Sequence, residues 1–236
     1  LTYPVIVMIL AAVLTVVMLV FIVPVFAGIY EDFDATLPQA TRVLVAISGM
    51  LRQHAPLVLL GLLLMILILR RLKRTERGGL VWDRYMLKTP VAGQLIGKIA
   101  LARMSRTFAS LIRSGVPILR TLDIVATATG NRFIGRGLEQ CGDDIEGGAN
   151  IAAAMKRSGR FPPMVIHMIA AGEKTGNVDG MLEKVADFYE DEVSASLEAL
   201  SSMIEPLLMA FLGIVIGGIV ICMFLPIFKM HEIVSF

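Results

Sequence analysis

The sequence predicts an all-α membrane protein with three transmembrane helices and one cytosolic six-helix bundle domain. Three observations predict it. Hydrophobic residues make up 56% of the chain and mean hydropathy is +0.75, where an ordinary soluble domain holds about 45–50% apolar residues. Charge is segregated: residues 70–205 hold 19 of the 22 Lys/Arg and 16 of the 20 Asp/Glu, the pattern of a water-facing domain set between membrane segments. Within that domain turn signals recur, and no alternating run is long enough for a strand.

Residues 1–26 are expected as the first span. From Tyr3 to Phe26 the chain carries no charge, enough for a helix to cross roughly 30 Å of hydrocarbon. A cleaved signal peptide is disfavoured, because no basic segment precedes the run and no A-x-A-like site follows it. Leu1 stands where Met would start a chain, so the sequence is expected to be the C-terminal portion of a longer protein. Residues 27–54 are expected as a periplasmic loop. Within it Val43, Leu44, Ile47 and Leu51 repeat at helical spacing, either as an interfacial helix or as a helix leading into the next span.

The second span is placed at residues 55–72. Its charge-free core, Ala55 to Leu69, has only 15 residues, but Arg70 and Arg71 can snorkel outward and admit Leu72. Orientation comes from Arg70, Arg71, Lys73, Arg74 and Arg77, which crowd one end of this span, whereas residues 27–54 have a net charge of −1. The positive-inside rule then puts residues 73–205 in the cytosol. The third span is residues 206–228, leaving a periplasmic tail at 229–236.

Helices of the cytosolic domain are delimited by punctuation. Pro90 opens a mixed apolar and basic helix that stops at Gly115-Val116-Pro117, where Gly suits a left-handed cap and Pro a first turn. Thr129-Gly130-Asn131, Gly147-Gly148 and Phe161-Pro162-Pro163 repeat the device. The last helix starts near Asn177 or Asp179. Met181, Leu182, Val185, Phe188, Tyr189 and Val193 form its apolar face, with Glu183, Asp187, Glu190, Asp191 and Glu192 opposite. Beyond Gly180 in its first turn, no Gly or Pro interrupts it before Pro206. A continuous helix and span of about 50 residues would reach roughly 75 Å, with a bend at Pro206.

Chemistry-bearing patterns are scarce. Gly172-Glu173-Lys174-Thr175 fails as a phosphate loop, since Glu173 separates Gly from Lys and His167 occupies the upstream glycine position. Cys141-Gly142-Asp143-Asp144 with Glu146 lacks the spacing of a calcium or zinc site. His54, His167 and His231 fall in different compartments. No ionisable group lies inside a span, which argues against a proton or ion pathway. Two cysteines, Cys141 and Cys222, make no disulfide framework, and a net charge of +2 gives no nucleic-acid footprint. Gly213 and Gly217 form a small-xxx-small step for close helix packing. No catalytic residue, cofactor or metal is expected.

Several segments in order resemble the type II secretion F-protein family, the inner-membrane platform proteins of type IV pilus and type II secretion machines. They are Tyr3-Pro4 with Phe21-Ile22-Val23-Pro24-Val25-Phe26; Ser114-Gly115-Val116-Pro117-Ile118-Leu119; Phe161-Pro162-Pro163-Met164 with Ala171-Gly172-Glu173-Lys174-Thr175-Gly176-Asn177-Val178-Asp179; Val185-Ala186-Asp187-Phe188-Tyr189; Glu205-Pro206; and Leu225-Pro226-Ile227-Phe228. The resemblance implies two related helical domains in the full protein, the second of which is residues 73–205. It implies a non-enzymatic platform in the bacterial inner membrane, coupling a cytosolic assembly ATPase to assembly of pilin or pseudopilin. Other inner-membrane components of the machine are its further partners, and a homo-oligomer is expected. Gly172, Glu173, Thr175, Gly176 and Asp179 would then shape a coupling turn or partner contact. Helix ends and a cap explain the same residues without a partner. The competing function is a membrane enzyme or transporter whose catalytic groups lie upstream of Leu1.

Overall fold

A computed structural model describes residues 2–32 and 38–234, and every regular element among them is a helix. The chain divides into two compact units, Leu1–Ile68 with Ala199–Phe236, and Leu69–Glu198.

In the first unit α1 (Thr2–Val17) passes through a π-helical turn (Met18–Ile22) into α2 (Val23–Asp32). Among the described residues two helices are long and apolar enough to cross a membrane, Val5–Tyr30 and Val178–Pro226. Their apolar side chains stay exposed, Ile6, Leu10 and Phe21 on one and Leu207, Met209 and Ile214 on the other, as a lipid-facing surface requires. A small core of Val23, Ile219 and Met223 gathers Met18, Ile22, Phe26 and Leu44 around it.

Of the loop expected at 27–54, residues 33–37 lie outside the described residues, and residues 27–32 and 39–54 are helical. Residues 27–32 complete α2, and residues 39–54 open α3 (Gln39–Arg74), which contains Pro56. Arg42 and Arg52 do not stop a helix, because charged side chains on an outward face cost it little. α3 thus leads straight into 55–72 rather than ending as a separate interfacial helix. On this helix Val43 and Ile47 are exposed, whereas Thr41 and Ser48 are buried.

The reason lies in the prolines. Proline has no N–H, so it leaves an upstream carbonyl without its helical donor, a costly vacancy where water is absent. Thr41 Oγ1 donates to the Cys222 carbonyl at 2.5 Å, four residues before Pro226. In the π-turn Val23 N–H donates to the Met18 carbonyl, so the next donor in that register belongs to Pro24. Ser48 Oγ donates to the Leu19 carbonyl instead, at 2.5 Å. Tyr30 Oη donates to the adjacent Met223 carbonyl at 2.6 Å, which no proline frees.

The second unit contains α4 (Glu76–Lys88), α5 (Ala92–Arg113), α6 (Ile118–Ala128), α7 (Arg132–Glu146), α8 (Ile151–Ser158), α9 (Pro163–Thr175) and the opening of α10 (Val178–Val234). The punctuation at 115–117, 129–131, 147–148 and 161–163 falls between helices as expected. The helix missed by sequence is α4, whose Gly78-Gly79 pair argues against one by propensity. Gly79 is buried where a side chain would strike the Arg132 guanidinium. The core joins Met104 and Phe108 of α5, Leu122 and Val125 of α6, Leu138 of α7 and Met155 of α8. Val165 and Ile169 of α9 and Leu182 and Val185 of α10 complete it, all fully buried. At about 1.5–3 kcal/mol per buried large side chain, this cluster dominates the unit's stability. One strained residue joins α4 to α5: Val91 holds φ 66°, ψ −63°, closed by Ala92 N–H donating to the Pro90 carbonyl at 2.8 Å. That is the uncommon γ-turn.

α10 is a single helix of 57 residues with Pro206 and Pro226 inside it. It continues past residue 228 to Val234, so the expected tail at 229–236 is largely helical.

Candidate functional site

The stretch 172–179 joins α9 to α10. Gly176 ends α9 at φ 69°, the left-handed region that glycine adopts without penalty. Asn177 N–H donates to the Gly172 carbonyl at 2.9 Å. Asn177 Oδ1 accepts from Gly180 N–H at 3.2 Å, so Asn177 rather than Asp179 caps α10. A Cβ on Gly172 would lie 2.8 Å from the Val178 Cα: only glycine lets the two helix ends approach this closely. Thr175 Oγ1 donates to the Ala171 carbonyl at 2.9 Å, which holds it on its own helix.

Glu173 reaches a different element. Its carboxylate accepts from Ile151 N–H at 2.5 Å and from Ala152 N–H at 3.2 Å, while Asn150 Oδ1 accepts from Ala153 N–H at 2.8 Å. Three of the four open amides at the start of α8 are thereby satisfied, two of them by a charge that also suits the positive end of the helix dipole. Sequence reasoning did not find this bond, because it spans 22 residues and no local pattern encodes it.

Asp179 begins an ionic row between α10 and α5. Arg113 pairs with Asp179 at 3.4 Å and, at closer range, with Glu183. Arg106 donates to Asp187 at 2.7 Å and to both oxygens of Glu190 at 2.8–2.9 Å. Lys98 pairs with Glu192 at 2.7 Å and donates to Ser196 Oγ at 3.0 Å. The row runs antiparallel. Hydrogen bonds from Arg106 hold the Glu190 carboxyl below its ordinary range, and Glu190 and Asp187 raise Arg106 in turn. Four of the five acids expected as a solvated face are therefore engaged, while Phe188 of the expected apolar face is exposed.

Gly213 and Gly217 lie in the apolar part of α10, and a Cβ on either would meet nothing within 4 Å. Among the described residues they make no close helix packing. Among the described residues no cluster of His, Cys, Asp and Glu has the makings of a metal site. Cys141 is fully buried and burial pushes its thiol up to about 11, which leaves it a packing residue rather than a nucleophile. The geometry can therefore transmit position between helices: α9 is tied to α8 through Glu173, and α10 to α5 through the ionic row.

Comparisons with known proteins point the same way. The family model for the type II secretion system protein F matches residues 104–226. The chain is 42% identical over 229 residues to a type IV pilus assembly protein PilC of Myxococcus xanthus, covering 97% of this chain and 55% of that protein. It is 44% identical to the protein of that name from Thermus thermophilus, with 97% and 56% covered. It is 31% identical to the type II secretion system protein F of Pseudomonas aeruginosa, with 100% and 58% covered. The chain thus spans a little over half the length of these curated relatives.

Proposed function

Because the chain belongs to the type II secretion system protein F family, we propose that it is part of an inner-membrane platform for pilus assembly. In this reading residues 1–26, 55–72 and 206–228 cross the bacterial inner membrane, and residues 73–205 form a cytosolic helical domain. A cytosolic assembly ATPase moves that domain, and the movement is passed on to pilin subunits. Identity of 34–44% to pilus assembly relatives, against 28–31% to secretion relatives, favours pilin over pseudopilin as the cargo.

One observation carries the reading. α10 carries the acids of the ionic row at its start and the apolar span further on, within one unbroken helix. A part driven by another protein's chemistry needs such a connection and no active site of its own. Residues Gly172, Glu173, Thr175, Gly176 and Asp179 set the start of that helix, and their contribution to coupling is to hold it rather than to touch the ATPase. Gly213 and Gly217, open along the span, are proposed as the approach for a helix of a second copy or of another machine component.

Complementation of a deletion strain tests this. Four glycines inserted between Ser201 and Glu205 should abolish pili while membrane insertion and thermal unfolding of the cytosolic helices stay as in the parent. Normal piliation with that insert, or ATP hydrolysis by the purified protein alone, would sink the proposal.

A further inference from the structure

Residues 70–139 enclose a cleft of about 840 Å³ that none of the contacts above uses. Arg70, Lys73 and Arg74 of α3 sit at i, i+3 and i+4, on one helix face. Arg132 and Arg136 of α7 enter from another wall. The acids lining it are Asp83 and Glu139, and Asp83 is already engaged, accepting from Arg132 N–H at 2.8 Å. Arg132 in turn donates to the Thr75 carbonyl at 2.8 Å. Arg70, Lys73, Arg74 and Arg136 have no carboxylate partner among the described residues, so four cations face one uncommitted acid. The amides of α7 do not supply this site, because Asn131 Oδ1 already accepts from Phe133 and Ile134 N–H. The attraction comes from side-chain charge.

Two further observations say what kind of anion belongs there. The helix that contributes Arg70, Lys73 and Arg74 is apolar and exposed immediately before them, at Leu60, Leu63, Leu67 and Ile68. α4, which supplies Gly79 and Leu80 to the cleft, turns Val81, Trp82 and Tyr85 outward. Exposed Trp and Tyr beside cations are the side chains that settle at the headgroup level of a bilayer. We propose that this cleft binds the phosphodiester headgroup of an anionic phospholipid, with Trp82 and Tyr85 resting in the interface beside it. The site rests on the reading of 55–72 as a span, which brings the cleft to the cytosolic leaflet.

The test uses the whole chain reconstituted in nanodiscs of phosphatidylcholine with and without phosphatidylglycerol, then extracted in mild detergent. Retained lipid is counted by mass spectrometry. The parent should retain phosphatidylglycerol over phosphatidylcholine. Arg136→Gln should weaken retention about fivefold, the effect of one cation near an anionic surface. Arg120→Gln, an exposed cation outside the cleft, should leave it unchanged. Glu139→Gln should strengthen it. Equal retention in the Arg136 and Arg120 variants overturns the proposal, as does retention of both lipids alike. Binding of inorganic phosphate that phosphatidylglycerol does not compete with assigns the cleft to a free anion and overturns it too. Labelling of an Arg84→Cys variant with an impermeant maleimide, in inverted against right-side-out vesicles, reports on the span by itself. A failed span and a failed cleft therefore read differently.

Discussion

Arg106 of α5 holds Glu190 of α10 by two parallel bonds, Nε to Oε1 at 2.9 Å and Nη2 to Oε2 at 2.8 Å. Such a fork is the geometry in which an exposed ion pair has its best claim on stability. Both side chains remain well exposed, so the value is modest. A double-mutant cycle with Arg106→Ala and Glu190→Ala should give a coupling of about 0.5–1 kcal/mol, measured by thermal unfolding in detergent. Additive losses would show that the pair contributes nothing beyond its two separate side chains.

The same pair sets an acid dependence. Glu190 titrates below its ordinary value of 4.5, chiefly because Arg106 donates hydrogen bonds to its charged form. A group with a lowered native pKa contributes stability that is complete above its unfolded value and is lost as pH falls through the native one. Unfolding temperature should therefore be insensitive to this pair at neutral pH and decline below about pH 4.5. Arg106→Ala should flatten that part of the decline, and an identical acid profile in the variant would contradict the assignment.

Glu173→Ala should cost about 1–2 kcal/mol, as loss of a helix cap does, and should raise hydrogen exchange at Ile151 and Ala152 first. Glu173→Gln keeps one acceptor and should fall between the two. If Glu173→Ala abolishes pili while leaving unfolding and exchange untouched, the residue serves a partner instead of α8.

Gly172→Ala should destabilise by about 1–3 kcal/mol, because the new methyl meets backbone that cannot step aside. Gly142→Ala, with open space around it, is the control and should be neutral or slightly stabilising.

Val91→Gly should stabilise, an unusual direction for a change to glycine. The γ-turn holds a β-branched residue at φ 66°, a strain of about 1–3 kcal/mol, of which glycine's extra unfolded freedom returns about 0.5–1 kcal/mol. Unchanged or lower stability would mean the turn relaxes in solution.

Local signals were legible in the sequence and distant ones were not. Gly115 and Gly176 act through their own backbone and Asn131 through its side chain, all within a few residues, and helix ends fall where they stand. The last helix is legible from Asn177 through Pro206 on the same grounds. Glu173 stands out in the sequence, but its bond to α8 is hidden there, since a carboxylate's partner depends on how two helices pack. The acids of α10 looked solvated because Arg106 and Arg113 lie more than sixty residues earlier. α4 was passed over because two glycines lower its propensity while packing against Arg132 and α3 rewards their small size. In the first unit nothing local marks Thr41 and Ser48, whose hydroxyls face inward because Pro226 and Pro24 leave carbonyls for them to fill.

Those hydroxyls fix an alignment. Thr41 and Ser48 stand seven residues apart, two turns along one side of α3, and each serves a single carbonyl on a different helix. A shift of α3 by one residue would strip both carbonyls of their donors at once. Small rotations about these bonds cost little, while sliding costs two hydrogen bonds together. The two hydroxyls thus lock the register of α3 against the turn that carries Leu19 and the helix that carries Cys222, so a displacement of α10 along its axis would be opposed at Thr41.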